Sequence, residues 1–478
     1  MKIRYTETYL SDRKPALWPD WPSSISSRIT ASVLFAVSLA SGPLALAQDA
    51  TLSNARYCGL GYSGAAVEFQ KNNPYVAKLL GDIKRRSVYN NHLFEIAKAS
   101  NWKINLYSKD DTAGKGASLG LSHVVSFEQY EIQKFVDPRS GSPKFSTSYR
   151  VGLNTVLFDL NDRQIKALIP SVIVYPVVSS APPTPAQSAA AIAAIFDGIG
   201  DPNSAIGRWM DSVKRLPIRS DEKVYFRVLP LVLSDDTRTE LAAVSALPAD
   251  TPGLFVKTLT SEVESLVAST FGKPLVPQAT NDAGMAASGN QYVANIPDCL
   301  GQNVKLILPP PSYQIQIYVD KLKSARYQHT LDSIPSLPSR GTLQTEIGYG
   351  GRFRAEISEY VDDPSGGGGK VIDSRTFKFS KSLRFSGDRT VSGYSEYQKL
   401  TSNFARELLE AYTTQDKKWI KNNLSTTVVD KKQKDVGQIS KDWKSLFTQR
   451  LGIAAVVKPK DATTTAAADT QNRNGSSQ

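Results

Sequence analysis

Histidine and cysteine are both scarce in this chain of 478 residues, with three of the first and two of the second. A multi-histidine metal site would need His92, His123 and His329 to converge, since no two stand at ligand spacing, so no metal is expected. Two cysteines exclude a disulfide-dense scaffold. Cys58 and Cys299 suit an oxidising compartment, and sequence leaves open whether they pair, because it supplies no distance between them. Long apolar runs are absent after residue 47, which excludes a later transmembrane helix. A dinucleotide fingerprint is missing as well, and no cofactor is expected.

The stretch "DDPSGGGGKVIDS", Asp362 to Ser374, imitates a phosphate-binding loop. A P-loop needs a glycine five residues before the lysine's own glycine and a hydroxyl after the lysine. Here those positions are Pro364 and Val371. Upstream, Phe353, Ala355 and Ile357 alternate with Arg352, Arg354 and Glu356, the period of a half-buried strand. Downstream, "KVIDSRTFKFSKSLRF" is rich in β-branched and aromatic residues. The expectation is a long β-hairpin with Gly366–Gly369 at its tip and no nucleotide.

The first 47 residues read as a secretory signal. Arg28 precedes an apolar core, Pro43 breaks it, and Ala45-Leu46-Ala47 forms a small-x-small end before Gln48. Cleavage after Ala47 gives a periplasmic or secreted chain, and retention as an anchor is the alternative. A lipoprotein would need a cysteine directly after the signal, and Cys58 comes too late. The full chain carries +12, and its first 47 residues hold five basic against three acidic side chains, leaving about +10. Lysines crowd the stretch after Asp416. A basic exported protein suits anionic envelope surfaces or acidic protein faces, and a nucleic-acid partner is not expected. The plainer reading of such runs is a solvated face. From Lys460 onward the chain is poor in apolar residues and reads as disordered.

The body of the chain reads as α+β or α/β, in two tandem units. The second contains the strand "KVYFRVLPLVLS" and a helix with Phe255, Leu259, Val263 and Leu266 on one face, stopped by Gly272. The short strand "KPLVPQ", the strand "YQIQIYVDKLKS" and the glycine hairpin follow. A last helix carries the stripe Tyr397, Leu400, Phe404, Leu408 and Tyr412. The first half repeats this order: "SNARYCGLGYS", a helical region over 75–100, "WKINLYS", the alternating "HVVSFEQYEIQKF", a hairpin turning at 160–163, and closing helix. The expected division is a signal at 1–47, a first unit at 48–180, a helical linker at 181–221 and a second unit at 222–423. A basic segment at 424–459 and a tail at 460–478 complete it. A single larger α+β domain is the alternative.

The order "FRVLPL", long helix, short strand, then antiparallel strands around an acidic turn resembles the α/β module of bacterial periplasmic assembly proteins. These are the curli-secretion lipoprotein family and the N-terminal module of the Tol-system propeller protein. The resemblance covers most of each half and rests on layout. It implies envelope assembly or secretion support and homo-oligomers, and it carries no catalytic residues.

The one enzymatic candidate is "GLGYSGA", where Gly61-Tyr62-Ser63-Gly64-Ala65 comes one residue short of a nucleophile elbow. Ser63 falls too early for the strands that precede such an elbow, and nothing around His329 marks a base loop. The paired acids Asp110-Asp111, Asp235-Asp236 and Asp362-Asp363 have turn chemistry. No catalytic residue is assigned. The expected function is an exported, non-enzymatic envelope protein acting by binding or assembly. A periplasmic serine hydrolase using Ser63 and a periplasmic small-ligand-binding protein are the alternatives.

Overall fold

The structure is a computed structural model. It describes residues 53–453 except 101, 109, 137–141, 200, 202, 215–222, 245–250, 277–290, 331–342, 362–368, 387–392, 426–431 and 452. The expected signal with its cleavage site, the glycine tip up to Gly368 and the tail therefore lie outside the described residues. The chain divides at Thr51, and everything below belongs to the unit that begins at Leu52.

The first half builds β1 (Ser53–Ser63), α1 (Ala66–Asn72), α2 (Pro74–Gly81), α3 (Ile83–Lys98), β2 (Ile104–Tyr107), α4 (Thr112–Lys115), β3 (Leu119–Val136) and β4 (Pro143–Asp159). It continues with β5 (Ile165–Ile169), β6 (Val172–Ser179), α5 (Pro185–Asp197) and α6 (Ala205–Lys214). The helical region expected over 75–100 is interrupted at Asp82. This residue leaves helical geometry and caps α3 by accepting from the Lys84 and Arg85 N–H groups at 3.1 and 3.2 Å. Helix α5 starts on a full capping box between Thr184 and Gln187, with Pro185 in its first turn.

The second half supplies β7 (Phe226–Val228), β8 (Val232–Leu233), α7 (Asp235–Val244), α8 (Thr251–Phe271), β9 (Gln291–Ile296), β10 (Gly301–Ile307) and β11 (Tyr313–Thr330). Then come β12 (Leu343–Glu359), β13 (Lys370–Ser386), α9 (Gly393–Thr414), α10 (Lys417–Asn423), α11 (Lys432–Lys444) and a π-helical turn, Ser445–Arg450. "FRVLPLVL" is not one strand but two short ones, because Pro230 has no N–H to give a ladder. The Leu229 and Ser234 N–H groups still reach β11, at the Ile315 and Val319 carbonyls. "KPLVPQ" contributes a single bridge, Leu275 to Phe226, within its described part.

Two mixed sheets result, and the fold is α+β. The first runs β10-β9-β1-β3-β4-β5, with β2 added to β1 and β6 to β4. Strand β1 is parallel to β2 and β3, and the other pairs are antiparallel. Because β1 is central, residues on both of its faces are buried. The second sheet runs β13-β12-β11-β7, with β8 also on β11. The expected glycine hairpin is present as β12 and β13, paired from Glu359–Lys370 to Gln344–Ser386.

Residues 291–307, from the second half, belong to the first sheet, where the Tyr62 and Ser63 positions of β1 pair with Asn295 and Ala294. Cys58 of β1 and Cys299, in the turn between β9 and β10, form a disulfide. One buried cluster runs through both halves, from Ala55 to Ile453. A polar seam also crosses between them. Arg150 of β4 meets Glu131 of β3 at 3.5 Å and Glu262 of α8 at 3.9 Å, and donates to Gln398 of α9 at 3.3 Å.

The stripe expected on α9 is buried, with Phe404 stacked on Phe353 at 4.2 Å between ring centres. The basic C-terminal segment is two-faced. Val436, Ile439, Trp443 and Phe447 lie at helical spacing and enter the core, while Lys441 and Lys444 stay in solvent. Among the described residues no helix is long and apolar enough to cross a membrane.

Candidate functional site

Strand β1 outruns β2: their pairing ends at Arg56–Tyr107, and the next partner β1 meets besides β3 is β9, at Tyr62 and Ser63. The register between β1 and β3 also slips between Tyr57 and Leu60. At this irregularity Gly59 adopts φ +75°, and a side chain here would strike Asp298 Oδ2 at 2.5 Å and Asn90 Nδ2 at 2.6 Å. The bare backbone lets two side chains from distant segments close over β1.

Asn90 on α3 is the hub. Its Oδ1 accepts the Leu60 N–H at 2.7 Å, satisfying a donor freed by the slipped register. Its Nδ2 donates to Asp298 Oδ2 at 2.8 Å, so both ends of the amide have fixed roles. Asp298 precedes Cys299, and the Cys58–Cys299 bond therefore ties the carboxylate's segment to the strand below it.

Beside this pair opens a cleft of about 380 Å³. Tyr57 and Gly59 form its buried floor, and Arg86, Asn90 and Phe94 of α3 form one wall. Ile83, Ser87, Asn91 and Asp110 are exposed at its rim. Its position, at the end of a parallel strand next to a helix, is where α/β sheets commonly place ligands.

The Tyr57 ring is 5% exposed, and its hydroxyl has no hydrogen-bond partner. Burial, and then the Asp298 charge, push this hydroxyl well above the usual phenol range, so it stays protonated. A buried polar group without a partner costs about 1–3 kcal/mol, which makes its position informative. Behind Tyr57, the His123 ring lies 6.0 Å away, and the Trp209 ring lies 5.7 Å from His123. His123 bonds Thr155 Oγ1 through Nδ1 at 3.1 Å, while its Nε2 and the Trp209 Nε1 lack partners. Burial lowers the His123 pKa to about 3, so the ring is neutral. A line of under-satisfied aromatic polar groups thus leads inward from the cleft floor.

Ser63 lies elsewhere. It is buried at the end of β1, and its hydroxyl meets the Tyr292 hydroxyl, which also accepts from Asn154 at 3.4 Å. Burial leads the causes that raise Tyr292 to about 12, and the Glu264 charge adds to it. Glu264 itself is pushed up by burial to about 8. Neither described histidine side chain bonds Ser63: His92 is exposed on α3 and His123 faces Thr155, while the backbone of His329 pairs with Gln344 on the second sheet. Ser63, Asn154 and Tyr292 form a structural hydroxyl–amide cluster with no nucleophile–base pair. No group of three or more metal-ligating side chains converges among the described residues.

Sequence reasoning passed over the cleft because Tyr57, Asn90 and Asp298 share no local motif. A trace was present: the dipeptides Tyr57-Cys58 and Asp298-Cys299 each set a cleft residue beside a cysteine.

No protein family and no curated protein matches this sequence. Among solved structures the chain is similar to a neuraminyllactose-binding hemagglutinin homolog from Helicobacter pylori, at 12% identity and a TM-score of 0.20. That match covers 47% of this chain and 96% of the other.

Proposed function

We propose that this chain is an exported envelope protein that acts by binding, and that the cleft over β1 is its recognition site. The observation that carries this reading is a polar cleft closed over β1 by Asn90 and Asp298, with Tyr57 in its lining and the Tyr57 hydroxyl buried without a partner. Export is supported by the signal-like first 47 residues and by the Cys58–Cys299 bond, which belongs to an oxidising compartment. An envelope setting is supported by the layout resemblance to periplasmic assembly modules. It is also supported by a basic face on α10 and α11, where Lys417, Lys418, Lys421, Lys441 and Lys444 are exposed. Binding is favoured over hydrolysis because Ser63 meets a tyrosine hydroxyl and no base.

The test uses the chain from Gln48 onward, incubated with the small-molecule extract of its own envelope fraction and examined by native mass spectrometry. The expected result is a bound mass on the wild type that is lost in a folded Asn90→Ala variant. A wild type that carries nothing, or a bound mass unchanged by Asn90→Ala, overturns the assignment of the site.

A further inference from the structure

Arg86 on α3 is half-buried in the cleft wall, and no ion-pair partner accompanies it among the described residues. Asp298, which lines the same cleft, is also half-buried, and its side chain accepts from the neutral Asn90 amide. Three charges thus line one small hollow, Arg86 and Asp298 half-buried and Asp110 exposed at the rim, and among the described residues Arg86 forms no ion pair with either acid. Partial burial of an unpaired charge is costly, and a complementary charge brought by a ligand recovers that cost through charge-assisted hydrogen bonds.

The geometry points to a zwitterionic ligand of the free amino-acid type, with its carboxylate on Arg86 and its ammonium on Asp298. This inference rests on the cleft being the recognition site, as proposed above. The guanidinium fork suits a planar carboxylate, for which it offers two parallel donors. The ammonium has three donors, and the half-buried Asp298 carboxylate is the charged acceptor that faces them. Phe94 and the apolar Ile83 at the rim leave room for a side chain of the ligand against carbon. The volume of about 380 Å³ lies at the small end of ligand pockets, which fits a single amino acid better than a peptide. Two features pre-position the acceptor: the Asn90 bond to Asp298 and the disulfide one residue further on.

The experiment titrates the chain from Gln48 onward calorimetrically with each of the common free L-amino acids. The best binder is then compared with its C-terminal amide, which lacks the carboxylate, and its N-acetyl form, which lacks the ammonium. Each blocked form should bind the wild type at least about tenfold more weakly than the free amino acid. Arg86→Gln should weaken the free amino acid by a similar factor and leave the amide unaffected, while Asp298→Asn should do the converse with the N-acetyl form. The comparison of blocked forms needs only wild-type protein, so a variant that fails to fold does not remove the test. Blocked forms that bind as well as the free molecule overturn the zwitterion. If no amino acid binds but native mass spectrometry finds another mass dependent on Asn90, the ligand class falls and the site stands. If neither binds, both fall.

Discussion

Replacing Gly59 by alanine puts the cleft's construction to a quantitative test, with Gly64→Ala as an internal control. Both glycines lie on or just after β1 with positive φ, +75° and +85°. Any L-residue in that region costs about 1–2 kcal/mol in backbone strain. The surroundings differ. A Cβ on Gly64 meets nothing within 4 Å, whereas one on Gly59 must displace Asp298 Oδ2 and Asn90 Nδ2. Displacement breaks the hydrogen bond between those two groups and pulls Asn90 from the Leu60 N–H. A hydrogen bond to a charged group contributes about 1.5–3 kcal/mol. Gly64→Ala should therefore cost about 1 kcal/mol and Gly59→Ala about 3 kcal/mol or more. Urea unfolding of the two variants beside the wild type, with equal slopes, gives the difference directly. If Gly59→Ala is no more destabilising than Gly64→Ala, the reasoning that Asn90 and Asp298 close over a bare backbone is refuted.

Other expected outcomes rest on separate parts of the structure. Reducing the Cys58–Cys299 bond opens a loop with a sequence separation of 241, and should lower stability by about 2–5 kcal/mol, read as a shift of the urea midpoint with reductant present. An unchanged midpoint contradicts a bond that constrains the unfolded chain. Phe404→Ala removes a fully buried ring stacked on Phe353 and should cost about 3–5 kcal/mol in the same assay, and a loss below about 1 kcal/mol would place α9 outside the core. Glu264 has a folded-state pKa raised to about 8 from an ordinary 4.5, so its contribution to stability is full below pH 4.5 and declines as pH rises through 8. Glu264→Gln should thus gain about 2 kcal/mol on the wild type above pH 8, less than the full shift implies because the carboxyl is only half-buried, and that advantage should fade toward pH 4. A difference independent of pH speaks against a carboxyl whose ionisation its surroundings disfavour.

Helices were legible from the sequence wherever their large apolar side chains share a stripe. Tyr397, Leu400, Phe404, Leu408 and Tyr412 repeat at helical spacing on α9, although burial spreads beyond them to Glu396, Gln398 and Thr401, because α9 packs on other helices as well as on the second sheet. The long strands β3, β4, β11 and β12 were legible for a similar reason, as period-two patterns or dense β-branched runs. The C-terminal stripe of Val436, Ile439, Trp443 and Phe447 was hidden by the lysines between its members, which dominate composition without deciding which face is buried. Strand partnership was not legible at all. Residues 291–307 pair with β1 across more than two hundred residues of chain, and no local pattern states that choice. The cleft depends on it, since β9 and the turn after it deliver Asp298. With β9, β10, Cys299 and the Arg150 seam all joining the two halves, the described chain is expected to unfold in one shared transition. Two separate transitions in calorimetry would instead support independent tandem domains.

Hydrogen exchange of the chain from Gln48 onward, with and without the small-molecule extract of its envelope fraction, tests most directly whether the cleft over β1 binds a ligand. The account predicts slowed exchange concentrated at the Leu60 amide held by Asn90, along Ile83–Phe94, and around Asp298. Protection confined to other segments, or no protection at all, would contradict it.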